Sequence, residues 1–334
     1  MPNIDQDQAL PKTLYIETTN RCNLKCRGCI LYRGNPEPER TISLQQLSMI
    51  TDQLPDLERA VLHGVGEPLL NPELAKMIRH LKKRKVYVLF NSNGILLDAG
   101  RRGALIDAGL DELRISLDAA SAEGYQKMRD SAHFNHIIDN LHAFVQELHD
   151  RQAAGPRLSL WFLGTRDNIT ELSDLVRLAA HIGICEVYLQ RLVYFQDDTG
   201  YGVARPEKTL RYADTAMESI ENSRDIALEL GVQLNASGLC DPMKSLRGQP
   251  DALYPWSKCY RPETLMYITA TGNVLPCCIA PFATTDFSAL ILGNVFESSV
   301  KKIWCGAGYE NFRKRLKTET PPKCCRGCGI LWSL

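Results

Sequence analysis

The chain has 334 residues, of which 44% are hydrophobic and 23% are charged, and its formal net charge is zero. This composition is typical of a soluble globular enzyme, and the charge balance gives no support to nucleic-acid binding. No apolar run approaches the roughly 18 residues needed to span a bilayer, so membrane insertion is not expected.

The N-terminal segment MPNIDQDQALPK lacks the apolar core and the cleavage site of a signal peptide. Twelve cysteines in a chain without an export signal are typical of metal ligands rather than of disulfides. We therefore expect a cytoplasmic protein, in which residues 1–11 form a short N-terminal tail.

Residues 12–204 alternate six short β-rich runs with helical patterns. Apolar residues at three- and four-residue spacing indicate the helices, several of which begin at Ser or Asn or end at Gly. Six strand–helix units in series predict parallel strands with right-handed crossovers, and they are too few for a closed eight-stranded barrel. The predicted fold is α/β, a partial (β/α)6 TIM-like barrel. Its strand sequences are TLYIETT, AVLHG, VYVLFNS, ELRISLD, RLSLWFL and EVYLQRLV.

Residues 205–254 are predicted to form a helical connector, because RPEKTLRYADTAMESIENSRDIALELG has a long helical pattern. Residues 255–334 then hold seven of the twelve cysteines and a hairpin pattern whose turn is Thr-Gly-Asn. This segment is too short to build a large core unaided. It is expected to be a small, cysteine-rich C-terminal domain.

Three cysteines, Cys22, Cys26 and Cys29, follow the first predicted strand in the sequence CNLKCRGC. A structural zinc site takes four protein ligands, whereas three thiolates on one loop favour a metal centre with an open coordination position. Active sites of parallel barrels lie at the carboxyl ends of the strands, which is where this loop falls. The spacing alone also permits a fragment of a zinc knuckle.

The CxxxCxxC loop resembles that of the radical S-adenosylmethionine (SAM) superfamily, where three thiolates hold a 4Fe-4S cluster and the fourth iron binds SAM. The resemblance implies reductive cleavage of SAM to a 5′-deoxyadenosyl radical, which abstracts a hydrogen atom from the substrate. It also implies an electron donor such as flavodoxin or ferredoxin. The family usually has an aromatic residue before the third cysteine; Gly28 stands there instead, and Tyr32 could supply that surface.

Two further stretches resemble the family's cofactor contacts. Gly66 and Glu67 match a Gly-Gly-Glu-Pro stretch whose backbone receives the methionine amino group of SAM, although Val65 replaces its first glycine. Ser116, at the end of the fourth predicted strand, and Arg129 match residues that contact the cofactor and pair with its carboxylate. The alternative for the first stretch is an ordinary strand–turn–helix connection with Glu67 solvated. For the second it is a Ser116 that merely packs and an Arg129 on the surface. An Arg–carboxylate pair would suit this role because it is bidentate and directional.

The barrel offers several candidates for contact with substrate. NSNG, at Asn91–Gly94, resembles the family's Thr-Asn-Gly stretch, so Ser92 and Asn93 could face the substrate. Four other side chains near strand ends could line the same pocket or simply pack: His63, Trp161, Gln190 and Arg191.

The C-terminal cysteines resemble the SPASM/twitch pattern of the same superfamily, which implies a second, auxiliary 4Fe-4S cluster with four thiolate ligands. A structural zinc would be satisfied by the same four thiolates. Cys324 competes with Cys325 for one position. The expected ligands are Cys259, Cys277, Cys325 and Cys328.

Cys240 and Cys278 lie outside these ligand sets and could return a hydrogen atom to a substrate radical, or be inert. The first hypothesis is oxidation of a small molecule, with the auxiliary cluster accepting the second electron. The alternatives are a radical epimerase with a cysteine hydrogen donor, a maturase that modifies a peptide or protein, and a non-catalytic metal-binding module.

Overall fold

The structure is a computed structural model that describes residues 9–26, 29–33, 37–191, 215–236, 255–282 and 288–326. The strands of the described chain are β1 (Thr13–Ile16), β2 (Arg59–Val61), β3 (Tyr87–Ser92), β4 (Glu112–Ser116), β5 (Arg157–Gly164), β6 (Glu186–Arg191), β7 (Gln233–Ala236), β8 (Leu265–Ile268), β9 (Asn273–Leu275) and β10 (Gly293–Asn294). They form one sheet in the order β10-β9-β8-β1-β2-β3-β4-β5-β6-β7.

The α-helices are α1 (Leu44–Thr51), α2 (Leu74–Lys83), α3 (Ala99–Ala108), α4 (Ala122–Arg129), α5 (Phe134–Asp150), α6 (Leu172–Ile182), α7 (Ala216–Leu230), α8 (Arg261–Thr264), α9 (Val300–Trp304), α10 (Ala307–Leu316) and α11 (Lys323–Arg326). Their ends follow the sequence signals. Ser43 caps α1 in a capping box with Gln46, and α6 ends at Gly183 in the left-handed conformation. Within the described residues, no helix is long and apolar enough to cross a membrane.

The six predicted strands are confirmed as β1 to β6, and each pairs in parallel with the next. Their alternate side chains point outward into a core shared with the surrounding helices. Leu14, Phe90 and Ile115 are examples that have no exposed surface. This alternation places the intervening side chains inside the barrel. The parallel order of the six strands along the chain confirms the α/β, partial-barrel fold class.

A seventh parallel strand extends the predicted barrel. β7 pairs in parallel with β6, inside the segment predicted as a helical connector. The sequence QLNA is short and half polar, and only Leu234 and Ala236 are buried in it, so its pattern is weaker than that of the preceding helix. Residues 205–214 of the predicted connector helix lie outside the described chain, and the domain boundaries remain predictions.

The C-terminal hairpin joins the barrel sheet rather than standing apart from it. β8 pairs in parallel with β1, in the register Ile16 to Ile268, and antiparallel with β9. Gly272 lies in the turn with a φ of +88°, a left-handed conformation that favours glycine. The predicted hairpin is therefore present, and one sheet runs through both ends of the chain.

Candidate active site

The three N-terminal cysteines lie together on the loop that follows the carboxyl end of β1. Cys22, Cys26 and Cys29 are half-buried, and none of them forms a disulfide. The backbone N–H of Cys29 donates to the Cys26 carbonyl at 2.9 Å, which closes a tight turn. Burial, with smaller contributions from Glu67 and the two neighbouring thiols, raises the pKa of the Cys22 thiol to about 12. The three thiols of the predicted cluster site are therefore free and partly buried on one loop.

The base of this loop is closed by the Asn20 side chain and by one backbone hydrogen bond. Asn20 donates from Nδ2 to the Pro38 carbonyl at 2.9 Å and accepts from the Arg40 N–H at 2.7 Å. The Ile42 N–H donates to the Thr18 carbonyl at 3.0 Å. Residues 18–20 are therefore fixed against residues 38–42. We call the described residues between them, 21–26, 29–33 and Glu37, the cysteine loop.

The turn that follows β2 packs directly against the cysteine loop. The Glu67 N–H donates to the Arg21 carbonyl at 2.8 Å. A Cβ atom at Gly66 would lie 2.2 Å from the Thr19 carbonyl oxygen and 2.6 Å from that of Arg21. Only glycine fits between these backbone atoms, so the predicted cofactor turn and the cysteine loop are held in direct contact.

The predicted residues Glu67, Ser92 and Asn93 form one buried network. Glu67 accepts from the Ser92 hydroxyl at 2.9 Å and from the Asn93 N–H at 2.8 Å. Asn93 in turn donates from Nδ2 to Oδ1 of Asn23, in the cysteine loop, at 2.8 Å. Burial raises the pKa of Glu67, and its hydrogen bonds oppose that rise. These side chains join the loops after β1, β2 and β3; their contacts with cofactor and substrate remain predictions.

Arg129, at the end of α4, reaches the cysteine loop from the other side of the mouth. Its Nη1 lies 3.9 Å from the Cys26 sulfur, and its Nε lies 2.5 Å from Oδ2 of Asp118. Burial disfavours the charged guanidinium, but Asp118 and Cys26 outweigh that effect and raise the pKa of Arg129. Sequence analysis missed Asp118, although it stands two residues after the predicted Ser116. Ser116 itself is half-buried at the end of β4.

The barrel interior is lined by aromatic and charged side chains. Trp161 and Tyr188 stack with ring centroids 4.0 Å apart, and the Arg114 guanidinium lies 4.2 Å from the Trp161 ring. His63, on the opposite wall, lies 5.9 Å from the Tyr15 ring. Burial and the charge of Arg114 lower the pKa of His63 to about 3, which keeps the imidazole neutral.

Trp161 and His63 are predicted here from the sequence, whereas Arg114 and Tyr188 are not. Both follow the two-residue alternation of their strands, which could have revealed them. The side chains of Arg191 and Tyr32 lie outside the described part of the structure, so their predicted roles stay predictions.

Five C-terminal cysteines lie in one region beside β8 and β9. Cys277, Cys278 and Cys324 pack against a small core that includes Tyr267. Burial raises the pKa of Cys259 and of Cys278, and the interaction with Cys259 raises the pKa of Cys278 slightly more. The Cys324 and Cys325 sulfurs are 3.9 Å apart, so both stay candidates for one ligand position. Cys240 and Cys328 lie outside the described residues.

Comparison with known proteins gives two family matches. Residues 16–179 match the radical SAM superfamily, and residues 259–329 match SPASM, an iron–sulfur cluster-binding domain. The chain belongs to the radical SAM superfamily. The cofactors predicted from the cysteine patterns, SAM and 4Fe-4S clusters, are those of this family.

Relatives of this radical SAM protein match it over nearly its whole length. The PqqA peptide cyclase of Granulibacter bethesdensis is 24% identical over 326 residues, which cover 95% of this chain and 79% of that protein. The mycofactocin maturase MftC of Mycolicibacterium smegmatis is 25% identical, over 96% of this chain and 76% of its own. Among solved structures, Streptococcus suis SuiB bound to S-adenosylmethionine matches with a TM-score of 0.70 and 18% identity, covering 97% and 72% of the two chains.

The residues present fit the first cluster of a radical SAM enzyme. Three thiols share one loop, and none is held in a disulfide. Among the described residues, no three His, Cys, Asp or Glu side chains converge on one point that a single ion could occupy. A four-iron cluster is larger than one ion, and its cysteines bind different iron atoms. The site could therefore hold such a cluster through Cys22, Cys26 and Cys29.

Glu17, at the end of β1, is a further buried carboxylate that sequence analysis missed. It is 2% exposed and accepts hydrogen bonds from the Tyr267 hydroxyl at 2.5 Å and from the Val65 N–H at 3.1 Å. Burial raises the pKa of Glu17 to about 7, while these hydrogen bonds act in the opposite direction. No local pattern marks this residue, because its hydroxyl partner lies 250 positions away.

The raised pKa of Glu17 predicts a distinct pH dependence of stability. The folded protein holds this proton up to about pH 7, whereas the unfolded chain, with a pKa near 4.5, releases it earlier. The free energy of unfolding should therefore fall between these pH values, by on the order of 3 kcal/mol. His63 has the opposite effect, since its lowered pKa makes stability rise with pH up to about 6.5.

The Glu17→Gln variant separates the two contributions, because only Glu17 is changed. Urea unfolding of wild type and variant at pH 5 and pH 7.5 gives two differences in free energy of unfolding. We expect wild type to lose stability relative to the variant as the pH rises. A pH-independent difference would show that Glu17 titrates normally.

Proposed function

We propose that this radical SAM protein is a maturase that modifies a peptide by hydrogen-atom abstraction. The observation that carries the proposal is the near full-length similarity to PqqA peptide cyclase and to the mycofactocin maturase MftC, which spans both matched domains. A radical SAM fold alone would not favour a peptide over a small molecule. These relatives favour the peptide alternative over the first hypothesis, oxidation of a small molecule.

The cofactor contacts in this proposal come from the loops around the barrel mouth. Cys22, Cys26 and Cys29 would hold the first cluster; with SAM bound, that cluster supplies the 5′-deoxyadenosyl radical. The turn at Gly66 would offer its backbone to the cofactor, since no side chain blocks it. Arg129 would hold the cofactor carboxylate, because its guanidinium lies beside Cys26 and keeps its charge.

The substrate side chain would enter the barrel interior. Trp161 and Tyr188 present a stacked aromatic wall there, and both are only half-buried. Arg114 covers one side of Trp161 while its Nε is paired with Glu112 at 2.6 Å, so the guanidinium is held in place. A rigid wall of this kind would fix a side chain at one distance from the cofactor, which hydrogen-atom transfer requires.

The C-terminal cysteines would hold the auxiliary cluster next to this interior. Tyr15, inside the barrel, packs against the same small core as Cys278, which adjoins the predicted ligand Cys277. An electron leaving the substrate would therefore have a short route to the auxiliary site. An external donor such as flavodoxin or ferredoxin would reduce the first cluster.

The test uses anaerobically reconstituted, reduced protein with SAM and synthetic peptides encoded beside its gene. We expect 5′-deoxyadenosine to form faster with the true peptide, and the peptide to lose two hydrogen atoms or to exchange one with solvent. The Trp161→Ala variant should still cleave SAM but should modify the peptide at least tenfold more slowly.

Two controls make the result decisive. The variant with Cys22, Cys26 and Cys29 all changed to Ala should form no 5′-deoxyadenosine. If a peptide-free metabolite fraction stimulated 5′-deoxyadenosine formation and the peptides did not, small-molecule oxidation would replace the proposal.

A further inference from the structure

Two carboxylates, one at each end of the cysteine loop, bind the same turn of the C-terminal hairpin. Glu17 directly precedes the closed base of the loop, and Glu37 lies where the loop returns. The turn that both residues contact is Thr269–Asn273, between β8 and β9, which we call the hairpin turn. Each carboxylate therefore joins the first cluster's loop to the second domain.

Glu17 joins three elements at once. Its Oε1 accepts from the Tyr267 hydroxyl on β8 and from the Val65 N–H in the turn after β2. Its Oε2 accepts from the Ala270 N–H, in the hairpin turn, at 3.2 Å. A Cβ atom at Gly64 would lie 1.9 Å from Cγ of Glu17, so the turn after β2 closes directly on this carboxylate.

Glu37 binds the hairpin turn through Oε1. Its Oε1 accepts from the Thr271 hydroxyl at 2.7 Å, from Nδ2 of Asn273 at 2.7 Å and from the Thr269 hydroxyl at 3.2 Å. Three donors from one turn converge on one carboxylate oxygen, and hydrogen bonds to charged acceptors are stronger than neutral ones. The hairpin turn thus presents three side-chain donors to this one carboxylate oxygen.

The register of β1 with β8 fixes the position of the hairpin turn relative to the cysteine loop. The Glu17 N–H donates to the Ile268 carbonyl at 2.9 Å, which continues the ladder between β1 and β8. The hairpin turn therefore starts directly beside the residues at which the chain leaves β1 for the cysteine loop. A shift of the C-terminal domain would move Glu17, and with it the turn after β2 that contains Val65 and Gly66.

We propose that Glu17 and Glu37 are positioning residues, through which the seated hairpin turn sets the geometry of the cysteine loop and of the glycine turn that would receive SAM. The C-terminal domain then has a second role besides holding its own metal site: it keeps the first site in its cofactor-binding arrangement. This role rests on the radical SAM identity of the chain and is independent of the substrate class.

The test is a double-mutant cycle on the Glu37 contact, measured in the protein with both clusters reconstituted. The variants are Glu37→Ala, Thr271→Val and the two together. Glu58→Gln is the matched control, because Glu58 pairs with Lys12 at the other end of β1, where both side chains are exposed. The readouts are the dissociation constant of SAM and amide hydrogen exchange at residues 21–26 and 64–67.

We expect Glu37→Ala to weaken SAM binding about tenfold and to speed exchange in both segments. Thr271→Val should weaken binding by about threefold, and the double variant by no more than Glu37→Ala alone, since both changes remove one contact. Iron content and exchange in α5 should match wild type, as should every readout of Glu58→Gln.

Unchanged exchange in the two segments, with SAM affinity also unchanged, would overturn the proposal. So would effects that multiply in the double variant, because the two residues would then act independently. Exchange is read without substrate and without turnover, so failure of the peptide proposal would leave this result unaffected.

Discussion

Changing Cys22, Cys26 and Cys29 together to Ala should halve the metal content of the reconstituted protein, from about eight irons to about four. The reason is that the two cysteine sets belong to separate elements, one after β1 and the other beside β8 and β9. SAM cleavage should fall below detection, because no iron with an open position would remain. Iron and sulfide analysis, with assay of 5′-deoxyadenosine, measures both effects.

The complementary variant changes Cys259 and Cys277 to Ala and should lose the other half of the iron. The melting temperature of each variant should stay close to that of wild type, because the substitutions lie in loops outside the core of the barrel. Stoichiometric zinc in the C-terminal domain of wild type, in place of iron, would contradict the auxiliary 4Fe-4S cluster.

Gly66→Ala should abolish SAM binding and destabilise the fold by more than about 3 kcal/mol. The new Cβ atom would lie 2.2 Å from the Thr19 carbonyl oxygen. Backbone atoms cannot swing aside as a flexible side chain can, so the turn and the cysteine loop must separate. Urea unfolding and equilibrium binding of SAM measure the two effects.

Gly100→Ala is the control for the chemical change itself. Gly100 lies in the first turn of α3, where a Cβ atom would meet only the Asp98 carboxylate, at an ordinary 3.4 Å. Because alanine favours helix, this variant should be as stable as wild type or more stable, by up to about 1 kcal/mol. Near-normal SAM binding by Gly66→Ala would show that the turn is not in contact with the loop.

Local patterns were sufficient to predict the barrel strands and the cysteine loop. A buried parallel strand needs a short apolar run, and a cluster loop needs thiols at close spacing, so both are visible within about ten residues of sequence. β7 has neither length nor a clear apolar pattern, and it is a strand because β6 offers it a free edge. Its formation is set by the tertiary neighbour rather than by propensity.

The side chains that position the site were harder to predict, because their partners are distant in sequence. Arg129 was assigned from its motif, but its pairing with Asp118 depends on how the end of α4 returns over β4. Glu67 was assigned to the cofactor, and the structure gives it three partners within the protein. A motif specifies which residues occur, whereas the geometry of several loops decides what they touch.

The pairing of β1 with β8 has a consequence for biosynthesis. β8, the second neighbour of β1 in the sheet, is synthesised about 250 residues after it. At typical rates of synthesis, roughly 10 to 50 s pass before that neighbour is available. Contacts of such high sequence separation form late, so the cysteine loop can be seated on the hairpin turn only after β8 has been synthesised.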